Sequence, residues 1–261
     1  MHFDLSDHYR PLDSIIHHLD PRVKVVTALA VILGVSLTPQ GAWSAFGAYL
    51  VLLVLLSTIS GLGPFFTLRR SFVALPFLLV ALPLPFTTPG ETLFTLPGLE
   101  WAASLEGTIM FASVLLRTWL AVQAAIWMTA VTRFPDVLWA LSALRLPNSL
   151  VAVIGFMYRY LFVMADEALR MLRARSARAP HVPGGSRPSV VWQGRVAGAM
   201  VGSLFLRALD RSERIYAAMV SRGYDGHMRT MQHFQMRASD WAILLVIFVA
   251  AAAPVLFLRF G

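Results

Sequence analysis

Apolar residues along this chain fall into five long blocks separated by polar breaks. The blocks cover residues 23–37, 43–59, 71–86, 108–131 and 241–258. Their length and scarcity of charge predict about five transmembrane helices, because a straight crossing needs about 20 apolar residues. The first three blocks fall short of that and are expected to tilt, lean on flanking residues or thin the bilayer locally. Pro76, Pro83 and Pro85 interrupt the third block, which predicts a kink or a broken helix there. Asp20 followed by Pro21 supplies a start signal for the first helix, and Ser239 with Asp240 offers one for the last.

Residues 132–239 break the pattern. This stretch carries 15 arginines against six acids, with apolar residues interspersed at helical spacing. Pro135 and Pro147 each read as a helix start. The run Pro180-His-Val-Pro-Gly-Gly-Ser-Arg-Pro188 concentrates residues that cannot continue a helix and reads as a loop. A long helix is predicted over 190–222, ended by Gly223 in a left-handed cap. The chain therefore divides into an N-terminal segment with four spans (1–131), a stretch of basic helices (132–239) and a last span (240–261).

Charge placement predicts the topology. Arg10, Arg22 and Lys24 precede or open the first span, and Arg69 and Arg70 lie in the second connection. The first connection is uncharged, and the third carries Glu91, Glu100 and Glu106 without a base. Basic segments stay on the cytoplasmic side, which puts the N-terminus, the second connection and 132–239 inside. The first 20 residues are polar and hold no apolar core of a cleavable signal. The expected location is the bacterial cytoplasmic (inner) membrane, crossed several times.

Composition agrees with an integral membrane protein. Of 261 residues, 57% are hydrophobic and 14% charged, and the mean hydropathy is +0.65, far too apolar for a soluble domain. The net charge of +8 does not imply nucleic acid, because the bases sit between apolar blocks, where topology explains them. Cysteine is absent, which excludes disulfides and thiolate metal sites. No segment reads as a P-loop, so the chain has no nucleotide-hydrolysing motif of that kind and is not expected to be an enzyme. His2, Asp4, Asp7 and His8, followed by His17 and His18, offer donor atoms, but their spacing fits no metal site and no resident metal or cofactor is expected. Arg117 is the one formal charge inside the fourth block; it is either functional or simply bonded to carbonyls within the bundle.

Two cytoplasmic segments are alike. One reads Asp166-Glu-Ala-Leu-Arg-Met-Leu-Arg-Ala-Arg-Ser-Ala-Arg178, the other Arg211-Ser-Glu-Arg-Ile-Tyr-Ala-Ala-Met-Val-Ser-Arg-Gly-Tyr-Asp-Gly226. Each places acids upstream and ends on an arginine between small residues: Ala174, Arg175, Ser176 and Ser221, Arg222, Gly223. Small neighbours let a helix tip approach another surface while the guanidinium reaches forward to carboxylates or helix-end carbonyls. Acid before base along a helix also complements its dipole, so helix stabilisation accounts for part of the pattern. Gly194, Gly198 and Gly202 repeat every four residues and would line one helix face open to a crossing helix.

These segments, with Ser14-Ile-Ile-His-His-Leu-Asp-Pro-Arg-Val-Lys24 and the lead-in from Arg159 to Ser176, resemble the transmembrane T component of energy-coupling factor transporters, especially its cobalt/nickel branch, the CbiQ family. The resemblance covers essentially the whole chain. It departs at Ala-Arg-Ser, where the family often has Ala-Arg-Gly, leaving the first helix end less sharply turned. The resemblance implies an all-α integral membrane protein with a cytoplasmic coupling domain of crossing amphipathic helices. It also implies that Arg175 and Arg222 each dock one of two cytoplasmic ATPase subunits, which bind the ATP. A separate substrate-binding membrane subunit would then be moved to import a divalent metal, with cobalt favoured and nickel next. The alternatives are a T subunit for vitamin uptake, or a membrane scaffold whose basic region (His227 to Arg237 included) binds anionic lipid.

Overall fold

A computed structural model describes residues 9–74, 76, 80–95, 102–178, 189–226 and 234–260. In chain order these form α1 (Ile15–His18), α2 (Pro21–Leu37), α3 (Trp43–Ile59), α4 (Phe66–Arg70) with a 3-10 turn (Ser71–Ala74), and α5 (Leu84–Thr87). There follow β1 (Thr92–Thr95), β2 (Ala102–Ser104), α6 (Leu105–Val131), α7 (Phe134–Ala143), α8 (Asn148–Arg178), α9 (Val190–Ser221) and α10 (Ala238–Phe260). They fall into two compact units, one of residues 6–144 and 232–261, the other of residues 1–5 and 145–231.

In the first unit, α2, α3, α6 and α10 pack side by side. Asp20 starts α2 as expected: its Oδ1 accepts from the Arg22 amide at 2.9 Å, and Pro21 occupies the first turn, where an amide hydrogen is not needed. At α10 the start signal sits slightly differently. Ser239 and Asp240 lie inside the first turn, and the Asp240 carboxylate reaches back to the Arg237 amide at 3.0 Å. α3 ends in a glycine cap: Gly61 has φ +73°, its amide bonds Thr58 and the Leu62 amide bonds Ser57.

Two clusters form the core. Ile16, Ala28, Leu56, Trp127 and Val131 belong to one, and Val35, Phe46, Tyr49, Leu53, Leu120 and Ala251 to the other. Each contains a polar tie. The Trp127 indole donates to Ser60 Oγ at 2.9 Å, and the Tyr49 hydroxyl donates to the Ala251 carbonyl at 2.5 Å. That hydroxyl passes over Gly34, where a Cβ would lie 2.5 Å from it, so only glycine fits. Leu33, Leu37, Val51, Leu55, Leu245 and Val249 face outward. Such an apolar exterior suits lipid as the solvent.

The third apolar block is broken, as its prolines require. Its described parts include the 3-10 turn and then α5, with Pro83 before the helix and Pro85 in its first turn. The acidic third connection contains a strand pair that its hydropathy pattern does not predict. β1 and β2 pair antiparallel, with an irregularity between Thr92 and Phe94. Thr-Leu-Phe-Thr favours an extended pleat, and the pair closes the turn that leads into α6. Gly107 fits there because a Cβ would meet the Leu84 carbonyl at 2.7 Å.

Among the described residues two helices, Leu105–Val131 and Asn148–Arg178, are long and apolar enough to cross a membrane, while Trp43–Ile59 and Ala238–Pro254 are shorter apolar helices. α8 qualifies although it lies within 132–239. Its first half, from Leu150 to Met164, is apolar apart from Arg159, and its charges gather in the second half.

Charge separates along the first unit. Arg10, Arg22, Lys24, Arg70 and Arg133 meet at the end where α2 begins and α3 and α6 finish. The Arg10 amide bonds the Ala130 carbonyl at 3.0 Å, and Lys24 Nζ donates to the His17 carbonyl at 2.8 Å. Arg22 lies over the Trp139 ring and Arg133 over Tyr9. At the opposite end, Glu106 packs against Gly90, and the Glu91 carbonyl accepts from the Leu105 amide.

Candidate functional site

The second unit is built on α8 and α9, which run antiparallel. Pro147 and Ser189 start them: the Pro147 carbonyl accepts from Leu150 and Val151, and Ser189 Oγ accepts from the Trp192 amide at 3.3 Å. Both proline starts expected from the sequence are present, Pro135 falling in the first turn of α7. Small and flexible apolar residues line the space between the two helices, among them Ala168, Met171, Ala197, Met200 and Leu204.

An ion triad ties the pair. Glu167 on α8 accepts from Arg207 on α9 at 2.6 Å and from Arg170 one turn along its own helix. The hydrogen bond from Arg170, then that from Arg207, holds the Glu167 carboxyl below its ordinary value. Local spacing accounts for this acid only as dipole compensation within one helix. The partner 40 residues away leaves no trace in local spacing.

The two motif arginines stand at opposite ends of the pair. Arg175 lies in the last turn of α8, half-buried, with its guanidinium 5.8 Å from the centre of the Trp192 ring near the start of α9. Arg222 is the C-cap of α9. Since α9 has 32 residues, it spans roughly 48 Å at 1.5 Å per residue. The two ends differ in construction. After Arg222 the chain closes a Schellman turn: Gly223 has φ +80°, its amide bonds Val220, and the Tyr224 amide bonds Met219 at 3.0 Å. α8 runs past Ser176 to Arg178, as Ser176 in place of glycine leads one to expect. Ala174, Ser176, Ser221 and Gly223 are all exposed beside their arginines.

Gly194, Gly198 and Gly202 do lie on one helix, and they face open space. A Cβ at any of them would meet nothing within 4 Å. The contact with α8 uses other α9 residues, so the glycine face is free of described neighbours within this chain. An apolar cleft of about 520 Å³ opens toward the Arg222 end, lined by Phe156, Met157, Met164, Ile215, Met219 and Tyr224 among others. Its signal in the sequence is the methionine and aromatic spacing on both helices, which no motif marks.

Arg117 resolves toward its structural alternative. Its Nη2 donates to the Thr38 carbonyl at 2.6 Å, at the C-terminal end of α2, where a cation meets both an open carbonyl and the negative end of the helix dipole. His17 is held between Ser14 Oγ at 2.7 Å and the Arg10 carbonyl at 3.1 Å, and His18 pairs with Asp13 at 2.6 Å. Among the described residues no three His, Asp or Glu side chains converge on a metal position. His2, Asp4, Asp7 and His8, the loop 180–188 and residues 227–233 lie outside the described residues.

Comparison with known proteins adds the family context. The family model described as CbiQ, cobalt transport protein, matches residues 13–234. The uncharacterised protein MJ1571 of Methanocaldococcus jannaschii is 26% identical over 257 residues, covering 96% of this chain and 85% of the relative. The energy-coupling factor transporter transmembrane protein EcfT of Limosilactobacillus fermentum is 30% identical over 262 residues, 92% of each chain. The cobalt transport protein CbiQ of Rhodobacter capsulatus is 27% identical over 175 residues, 66% of this chain and 68% of the relative.

Proposed function

The chain belongs to the CbiQ cobalt transport protein family, and we propose that it is the transmembrane T subunit of an energy-coupling factor importer, coupling ATP hydrolysis by two partner ATPases to cobalt uptake. Arg175 and Arg222 each dock one ATPase subunit, with Ala174, Ser176, Ser221 and Gly223 clearing the approach. The substrate is recognised by a separate membrane subunit, and the metal passes as cargo. Closure of the two ATPases on ATP moves the docked helix ends, and α8 and α9 transmit that movement.

The observation that carries this reading is the placement of the two arginines at opposite ends of an antiparallel helix pair braced by the Glu167 triad. Two ATPases need two separated contacts, and a helix pair tied near its middle converts movement at its ends into movement along its length. The basic end of the first unit faces the cytoplasm under the positive-inside rule, which puts the N-terminus inside and favours a multi-pass chain.

The test replaces Arg175→Ala together with Arg222→Ala in the complete transporter. Co-purification of the ATPases and uptake of radiolabelled cobalt are both expected to be lost. Replacing Arg173→Ala with Arg178→Ala removes the same charge and should leave both intact. Equal effects from the two pairs would refute docking by individual arginines. Import of a vitamin without metal transport would refute cobalt as cargo.

A further inference from the structure

A second arginine cluster lies in the first unit. Where α3 stops at its glycine cap, the chain turns through Gly63 (φ +88°) into α4, leaving an open cleft of about 670 Å³. Arg10, Arg69 and Arg70 line it with Gly63, Phe65 and Phe66. The Phe66 ring is a shared platform: the Arg10 guanidinium lies 4.5 Å from its centre and that of Arg70 5.9 Å. The Arg10 backbone is pinned to Ala130. None of the three guanidiniums pairs with a carboxylate among the described residues.

We propose that this cleft binds the phosphate-bearing headgroup of an anionic phospholipid. Three guanidiniums around one concavity, without a carboxylate partner among the described residues, suit an anion, and the planar fork of arginine matches phosphate oxygens two at a time. Stacking on Phe66 holds two of them in place before a ligand arrives, which lowers the ordering cost on binding. The surroundings select lipid over free phosphate. Phe65 is 74% exposed, and Phe72 and Val73 on the following turn are also exposed. These side chains offer contact to acyl chains and nothing to an inorganic ion. The cleft also sits at the end of an apolar helix, the depth at which headgroups lie. The inference requires the chain to lie in a bilayer and is independent of ATPase docking.

The complete transporter, purified in mild detergent and exchanged into nanodiscs of phosphatidylcholine with a minor share of phosphatidylglycerol, is examined by native mass spectrometry for retained lipid. Wild-type protein should retain phosphatidylglycerol in preference to phosphatidylcholine. Arg69→Gln with Arg70→Gln should lower that retention on the order of tenfold, from the usual worth of a basic residue beside anionic lipid. Arg173→Gln with Arg178→Gln, an equal charge loss elsewhere, should leave it unchanged. If the first pair prevents folding, Phe66→Leu keeps every charge, removes the platform and should still weaken retention severalfold. Equal loss from both pairs, or full retention in the folded cleft variants, overturns the site. Displacement of the lipid by millimolar inorganic phosphate overturns the choice of lipid over a free anion.

Discussion

Glu167 carries more of the second unit than its position in the sequence suggests. Its carboxylate joins α8 to α9 through Arg207 and is steadied by Arg170. Because its folded value is lowered, chiefly by the Arg170 hydrogen bond, its contribution is present above the ordinary carboxylate range and is lost as pH falls through the lowered folded value. Glu167→Gln should therefore melt below the wild type at neutral pH, and the gap should narrow and close as pH falls below the ordinary carboxylate range and through the lowered folded value. Melting curves of the detergent-purified protein across that range check it; a gap that widens in acid would contradict the ion triad. Other residues were legible from type alone. Gly223 was read as a left-handed cap and has φ +80°, because no other residue adopts that conformation so cheaply. Arg145 takes up the same region at φ +68°, and nothing about an arginine announces that.

Helix boundaries were legible where hydropathy and capping agreed. α3 occupies 43–59 as its apolar block does, and α2 begins at the Asp20-Pro21 signal. They were illegible where the chain serves two demands at once, as in α8, whose apolar first half and arginine-rich second half form one uninterrupted helix. The β1–β2 pair was hidden too, since strands of four and three residues are too short for a period to show. Arg117 shows what lies between those cases: its position in the fourth block marked it as important, but only the neighbouring helix end reveals why. Arg117→Leu leaves the Thr38 carbonyl at the end of α2 without its charged donor. The loss should cost about 1.5–3 kcal/mol, the usual worth of a charge-assisted hydrogen bond, seen as a lower unfolding midpoint. ATPase co-purification should persist at temperatures where the variant stays folded. Selective loss of uptake at unchanged stability would instead make Arg117 part of the transport path.

The glycine face of α9, open to a partner helix under the proposed function, can be tested at the scale of the whole molecule. Gly194, Gly198 and Gly202 weaken a helix that has no need of them internally, since a Cβ at each would meet nothing. Glycine in a helix costs about 1 kcal/mol relative to alanine, so three together are a standing penalty in the isolated chain. Close packing of another helix in the assembled transporter would offset it. Replacing all three with alanine separates the two possibilities, because the effects have opposite signs. The isolated chain should become more stable, by up to about 3 kcal/mol if the helix terms add, while co-purification of the substrate-binding subunit should fall. A gain in stability with assembly intact would mean that no partner helix uses the groove, and that the glycines serve the bending of α9 instead. The proposed docking at Arg175 and Arg222 is separable in the same experiment: ATPase co-purification should survive the alanine substitutions, because neither arginine lies on the glycine stripe.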